Sequence, residues 1–315
     1  MLNVKNKYLL SIDGGSSTVK AGVINIETGE IQKEISANNP LNYNTIRNKK
    51  FNTLRIILTE AGKEHKINSM IMGVSGIDNN IEKRIAIKTI NNYLKKNTKY
   101  KKIKLVVVND IDLVIENIDR EDNKIAIIAG TGSNCFGVNK KGDTAKSGGL
   151  GELLTDQGSG YYIGLEALKE TVKSYDGRSK KTELESRVLR YFRIYDVKDL
   201  KNKVNKKDFT KKDIARLTLE VVKCYIEKKD FTCKNILKNA SYELFLHINA
   251  VANKLNMNNF VIIESGSIFK IPYLKKNFEK YVLTKYDEAT FYIPTTPTYY
   301  GGYYLAKNII SHTSS

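Results

Sequence analysis

The chain has 315 residues, with 52 Lys and Arg against 34 Asp and Glu for a net charge of +18, 41% hydrophobic residues and only 4 prolines. That length exceeds what one core usually supports and predicts two domains, while the composition excludes disordered and collagen-like chains. No apolar run approaches the ~20 residues of a membrane span and no cleavable leader precedes the first strand; three scattered cysteines (Cys135, Cys224, Cys233) form neither a disulfide framework nor a paired zinc motif, so a reduced, cytoplasmic protein is expected.

The first segment, "YLLSIDGG" (8–15), is an apolar run ending in Asp-Gly-Gly, and "TVKAGVINIETGEI" continues it with a turn at Thr28-Gly29, so the chain opens on paired strands. Phe51, Leu54, Ile57, Leu58 and Ala61 recur at three- and four-residue steps, which predicts one buried helix face between Thr45 and Ala61. A strand at "SMIMGVSG" (69–76) follows, then a helix over about 79–95 with Ile81, Ile85, Thr89, Ile90 and Tyr93 on its inner side, then the strand "KLVVVND" (104–110). Strand now alternates with helix, which favours strands running parallel with helices packed on them.

The opening arrangement then repeats in form: "KIAIIAGTGSNCFGVNKKGDTAKSGG" reads as strand, glycine turn, strand, turn, strand. From Gly158 to about Leu255 the chain is mainly helical, with Ile214, Leu217, Val221 and Tyr225 as one stripe. "FVIIESGSIFK" (260–270) returns to strand and glycine turn, and "PTTPTYYGGYYL" leads through a tight turn into a terminal helix, its tyrosines read as core. The lysine runs "KKNTKYKKIK" and "KNKVNKKDFTKK" sit beside helices and read as solvated faces, so no nucleic-acid partner is expected.

Three turns share one device, an apolar strand followed at once by glycines and hydroxyls: Asp13-Gly14-Gly15-Ser16-Ser17, Gly130-Thr131-Gly132-Ser133-Asn134 and Ser265-Gly266-Ser267. Glycine lets backbone approach a ligand and aim successive N–H groups at it, so such turns suit phosphate. Neither a Walker A loop nor the dinucleotide fingerprint is present. Two carboxylates stand at strand ends. Asp13 could hold a phosphate-bound Mg²⁺ through water, and Asp110 could accept a proton from an attacking hydroxyl; the plain alternative for each is a helix cap or a solvated turn. In "SGGLGELLTDQGSGYYIGLEAL" (147–168) the glycines Gly148, Gly149 and Gly151 would let a ligand lie against the backbone, with Asp156 available to hydroxyl groups. His65, His247 and His312 fall outside these motifs and receive no role.

The order of these motifs resembles the sugar kinase, actin and Hsp70 ATPase superfamily, and within it the branch joining N-acetylglucosamine kinases with BadF/BadG/BcrA/BcrD ATPases. "IDGGSSTVKAGV" is similar to that superfamily's first phosphate motif, "GTGSNC" to its second and "ESGSIFK" to its adenosine motif, with "NP" (39–40), "GVSGID" (73–78) and "GGLGELLTDQGSGYYIG" in the expected order. The resemblance implies two actin-like (ribonuclease H-like) α/β domains with mixed sheets flanked by helices, facing each other across an ATP cleft that closes by hinge rotation. One would span 1–114 together with a terminal helix at about 298–315; the other would span 115–297 with a helical region at about 160–255.

The resemblance also implies roles. Asp13, Gly14, Gly15, Ser16, Ser17, Thr131, Gly132, Gly266 and Ser267 would bind ATP, with Asp13 toward Mg²⁺. Asp110 would be the general base on a sugar 6-hydroxyl. Asn39, Ser133, Asn134, Gly149, Leu150, Gly151, Glu152 and Asp156 would join Asp110 in holding the sugar. A homodimeric kinase of N-acetylglucosamine, N-acetylmuramic acid or both follows, with no nucleic-acid or membrane partner. Gly149-Leu150-Gly151-Glu152 and Asp156-Gln157-Gly158-Ser159 stand where the branch's N-acetylglucosamine kinases tend to carry Gly-Trp-Gly-His and Asp-Glu-Gly-Ser, which leaves glucosamine open as a substrate. The alternative in the same branch is an ATPase activator of a dehydratase, which carries cysteine ligands for an iron–sulfur cluster; none of the three cysteines lies in such a setting.

Overall fold

The computed structural model describes residues 7–15, 18–77, 79–118 and 122–311. The chain divides into one unit made of Met1–Glu121 with Pro294–Ser315 and a second made of Asp122–Ile293.

The first unit opens with three antiparallel strands, β1 (Tyr8–Gly14), β2 (Val19–Asn25) and β3 (Ile31–Ala37). Helices α1 (Tyr43–Arg47) and α2 (Asn52–Ala61), strand β4 (Ser69–Val74), helix α3 (Asn80–Lys95), strand β5 (Lys104–Val108) and helix α4 (Asp110–Glu116) follow. The sheet order is β3-β2-β1-β4-β5, with β4 parallel to β1 and β5 parallel to β4. Central strands of such a sheet are covered on both faces and are therefore apolar throughout. Leu10, Ile12, Met70 and Met72 face the core shared with Leu54, Ile57, Ala86 and Ile90. Leu9 and Ile71 face the other side, where they meet Leu113, Tyr299, Tyr303 and Ala306.

Two helix readings are corrected. The stretch from Thr45 to Ala61 is broken between α1 and α2, because Asn48 caps the end of the first. In α3 the buried stripe is Ala86, Ile90 and Leu94, while Ile81 and Ile85 are exposed, since the covered face of the helix runs through the former three. The tyrosine-rich segment is core, as expected: Tyr299 and Tyr303 are buried beside the C-terminal helix Gly301–Ser311.

The second unit repeats the plan. Strands β6 (Lys124–Ala129), β7 (Ser133–Val138) and β8 (Thr144–Gly148) are antiparallel, and β9 (Val261–Ser265) with β10 (Thr290–Tyr292) completes the order β10-β9-β6-β7-β8. Strand β9 runs parallel to β6, and β10 parallel to β9, as β4 and β5 follow β1. Between β8 and β9 lie α5 (Gly160–Tyr175), α6 (Leu184–Phe192), α7 (Leu200–Val204), α8 (Lys211–Arg216), α9 (Thr218–Lys228) and α10 (Phe231–Lys254); α11 (Pro272–Lys285) precedes β10. The predicted stripe Ile214 to Tyr225 spans the joint between α8 and α9, so Leu217 and Val221 are buried and its two ends only half-buried. No helix among the described residues is long and apolar enough to cross a membrane.

Candidate active site

In the first unit the sheet register places the candidate residues. Asp13 of β1 lies opposite Gly73 of β4, which lies opposite Val108 of β5, all at the carboxyl ends of parallel strands, where open α/β sheets receive ligands. Asp110 comes two residues beyond that row, in the first turn of α4. The helix cap is Asn109: its side chain accepts from the Ile111 amide at 3.1 Å and donates to the Ile77 carbonyl at 2.6 Å, and its own amide donates to Asp112 at 2.9 Å. The Asp110 carboxylate, which accepts the Ile111 amide at 3.0 Å, is therefore not the cap. Gly73 is required by close approach: a Cβ there would stand 2.5 Å from Leu113 Cδ1 and 3.2 Å from Asp110 Cα. The missing side chain lets α4 press against β4 and delivers Asp110 to the strand ends.

Asp13 is half-buried, and its pKa is pushed up to about 7, first by burial, then by the charge of Asp110, with Lys20 opposing. Two carboxylates thus repel each other at one sheet edge, an arrangement a bound cation would relieve. The Gly14 carbonyl accepts the Ser75 amide at 3.0 Å and the Gly15 carbonyl accepts the Leu41 amide at 3.1 Å. The second of these bonds brings the segment after the exposed Asn39 alongside the first glycine turn. Ser16 and Ser17 lie outside the described residues.

In the second unit the Gly130–Gly132 turn joins β6 to β7 and closes through Gly130 N–H to the Gly132 carbonyl at 2.9 Å. The first amides of α5 are spent on it: Gly160 donates to the Gly130 carbonyl at 2.8 Å and Tyr161 to the Thr131 carbonyl at 3.1 Å. Thr131 is half-buried. Gly266, at φ +107°, brings the third turn against the second, since a Cβ on it would stand 2.2 Å from the Ala129 carbonyl oxygen. Ser267 is exposed at the start of a short 3₁₀ turn.

Two proposed sugar contacts are turned inward. The buried Ser133 hydroxyl donates to the Gln157 carbonyl at 2.8 Å. Asp156 is buried; its Oδ1 accepts the Ser133 amide at 3.0 Å and its Oδ2 is ion-paired with Lys211. Both tie the 155–161 segment to the glycine turn, because a buried carboxylate needs a counter-charge and donors. Asn134 Oδ1 is buried without a hydrogen-bond partner among the described residues, and it lies 2.9 Å from the point a Cβ on Gly149 would occupy. Gly149 and Gly151 have φ of +78° and +91°, and Leu150 and Glu152 between and beyond them are exposed.

Sequence reasoning missed three residues here. Lys211 was hidden in a lysine run. His247 of α10 sits beneath the glycine loop, 2.9 Å from Ser147 Oγ through Nδ1; burial holds its pKa below the ordinary value, against the opposing pull of the Gln157 carbonyl and Asp156. Glu264, just before the third turn, is buried with its pKa raised by burial and is paired with Lys275. Glu264 follows three apolar residues that are all buried, and nothing local marked any of the three missed residues. Among the described residues, one group could hold a metal ion, Cys224, Asp230 and Cys233. Its carboxylate already accepts from the Cys233 amide, Thr182 and the Glu183 amide, and burial raises both thiols, so it reads as a packed helix junction.

The model of the BadF/BadG/BcrA/BcrD ATPase family matches residues 10–302. An N-acetylmuramic acid/N-acetylglucosamine kinase of Clostridium acetobutylicum is 32% identical over 311 residues, covering 96% of this chain and 99% of that protein. An N-acetyl-D-glucosamine kinase of Dictyostelium discoideum is 26% identical over 258 residues, covering 80% of this chain and 79% of that protein. A candidate N-acetylglucosamine kinase from Chromobacterium violaceum shares the fold, with a TM-score of 0.75 at 18% identity over 96% of this chain and 99% of that one.

Proposed function

The chain belongs to the BadF/BadG/BcrA/BcrD ATPase family, and on that premise we propose that it is an ATP-dependent kinase that phosphorylates the 6-hydroxyl of an N-acetylated amino sugar, N-acetylglucosamine, N-acetylmuramic acid or both. The observation that carries the chemistry is Asp110, held off the helix cap by Asn109 and delivered to the strand ends by the gap at Gly73. The choice of sugar is supported by the Clostridium acetobutylicum relative.

In this reading the Asp110 carboxylate takes the proton of the 6-hydroxyl, that oxygen forms a bond to the γ-phosphorus, and the bond from the γ-phosphorus to the bridging oxygen of ADP breaks in line. Gly14, Gly15, Ser16, Ser17, Thr131 and Gly132 hold the phosphates, and Gly266 and Ser267 meet the adenosine. Asn39, Asn134, Gly149, Leu150, Gly151 and Glu152 position the sugar, with Asn134 Oδ1, unpartnered among the described residues, awaiting a donor such as a sugar hydroxyl or an acetamido N–H; Ser133 acts through the turn it braces, and Asp156 once a sugar hydroxyl displaces Lys211. Most of the rate comes from positioning and charge stabilisation. Asp13 would hold Mg²⁺, which when bound would neutralise phosphate charge; the repulsion between Asp13 and Asp110 fits such an ion. The working species is proposed as a cytoplasmic homodimer that needs neither nucleic acid nor membrane.

The test is a coupled ADP-release assay with N-acetylglucosamine, N-acetylmuramic acid, glucosamine, N-acetylmannosamine and glucose. Sugar-dependent release with the first two is expected, and no release with any sugar would end the kinase reading.

A further inference from the structure

The residues proposed above to face phosphate and sugar include four carboxylates, Asp13, Asp110, Glu152 and Asp156, and no lysine or arginine. Phosphoryl transfer spreads negative charge over the transferred group and is accelerated by fixed cations aimed at it. Among the described residues, Lys211 brings a cation beside the second phosphate turn. Lys211 opens α8, whose first turn is held by Thr210 and Asp213 through a capping box. The backbone of α8 is pressed onto α5, where Gly164 leaves room for the Ile214 carbonyl. From there the Lys211 ammonium is ion-paired with buried Asp156, lies 3.6 Å from Glu152, and stands 3.0 Å from the point a Cβ on Gly132 would occupy. It lies 5.9 Å from the centre of the Tyr161 ring.

Resting on the kinase reading, we propose that Lys211 is a catalytic residue that exchanges partners during the reaction: sugar hydroxyls take over Asp156 Oδ2, and the freed ammonium turns to the γ-phosphoryl oxygens held by the Gly130–Ser133 turn. Three features carry this. The ammonium already stands beside Gly132 of that turn. The missing side chain at Gly132 leaves its approach open. The partner it must leave is a carboxylate that itself suits sugar hydroxyls. The exchange moves no proton to or from Lys211. The arrangement also makes delivery of the cation depend on the sugar, so ATP bound alone is met by an ammonium still engaged with Asp156, and sugar-independent hydrolysis is slow.

Two experiments test it. In a crystal structure of the wild-type protein with the non-hydrolysable analogue AMPPNP, Mg²⁺ and N-acetylglucosamine, Lys211 Nζ should lie within hydrogen-bonding distance of a γ-phosphate oxygen; an ammonium still on Asp156 with sugar present overturns the proposal. In solution, Lys211→Met should lower kcat by about 100-fold or more while leaving the sugar KM within about threefold, and Lys211→Arg should recover part of the loss. A higher sugar KM at unchanged kcat would make Lys211 a positioning group for Asp156 and overturn the catalytic role. Because Lys211→Met leaves a buried carboxylate unpaired, a variant that does not fold leaves the decision to the wild-type ternary structure. Absence of turnover by the wild-type protein with every sugar would overturn the kinase reading and this proposal together, an outcome distinct from an active enzyme whose Lys211 never leaves Asp156.

Discussion

Replacing Asp13 with Asn removes one of two carboxylates that repel each other at the end of the first sheet. Burial first, and the charge of Asp110 second, raise the Asp13 pKa from 3.8 to about 7. The unfolded chain releases that proton near the ordinary carboxylate value while the folded chain retains it. Asp13 therefore costs the fold nothing in acid, and stability is lost as pH rises from about 4 to about 7. A shift of roughly three units corresponds to about 4 kcal/mol, and solvent screening of a half-buried group lowers the expected effect to about 1–3 kcal/mol. In a unit of this size that moves the melting temperature by roughly 2–10 °C. The assay is thermal unfolding across this pH range with divalent ions chelated. Asp13→Asn should melt higher than wild type at about pH 8 and match it at about pH 4, while its turnover falls by about 100-fold or more. Parallel stability curves for the two proteins, or a variant less stable at the alkaline end, would refute the reasoning. Added Mg²⁺ should raise the melting temperature of wild type more than that of the variant.

Asp110→Asn should lower kcat by about 10²–10⁴-fold while ATP still binds by calorimetry; because it removes the like charge, it should also bring the Asp13 pKa down and flatten the pH dependence of stability. Near-normal turnover would remove Asp110 from the base role. Gly73→Ala forces a Cβ against Leu113 and toward Asp110 Cα, so α4 must shift. The expected outcome is a cost of about 1–3 kcal/mol in chemical denaturation and a larger relative loss in kcat than in ATP affinity.

Strand ends were legible because apolar runs that stop at glycine leave little choice. The strands at 8–14, 124–129 and 261–265, and the turns after the latter two, stand where periodicity and glycine placed them. Helix faces were less legible. Ile81 and Ile85 fit a helical period as well as Ala86 and Leu94 do, and only packing against the sheet decided which were covered. In the candidate site, Asp13 and Asp110 stood out by their place after apolar strands. Lys211 did not, since one lysine in "KNKVNKKDFTKK" looks like the next until the fold turns it toward Asp156.

The sequence by itself determined the repeated plan of three paired strands followed by alternating helices, the three glycine turns and the two strand-end carboxylates, because each depends on neighbours within a few residues. Only the tertiary structure decided that Asp156 and Ser133 are turned onto the second glycine turn, and that Lys211 and His247 meet it from distant helices. Those outcomes depend on burial and charge pairing between segments far apart in the chain, which local spacing does not encode.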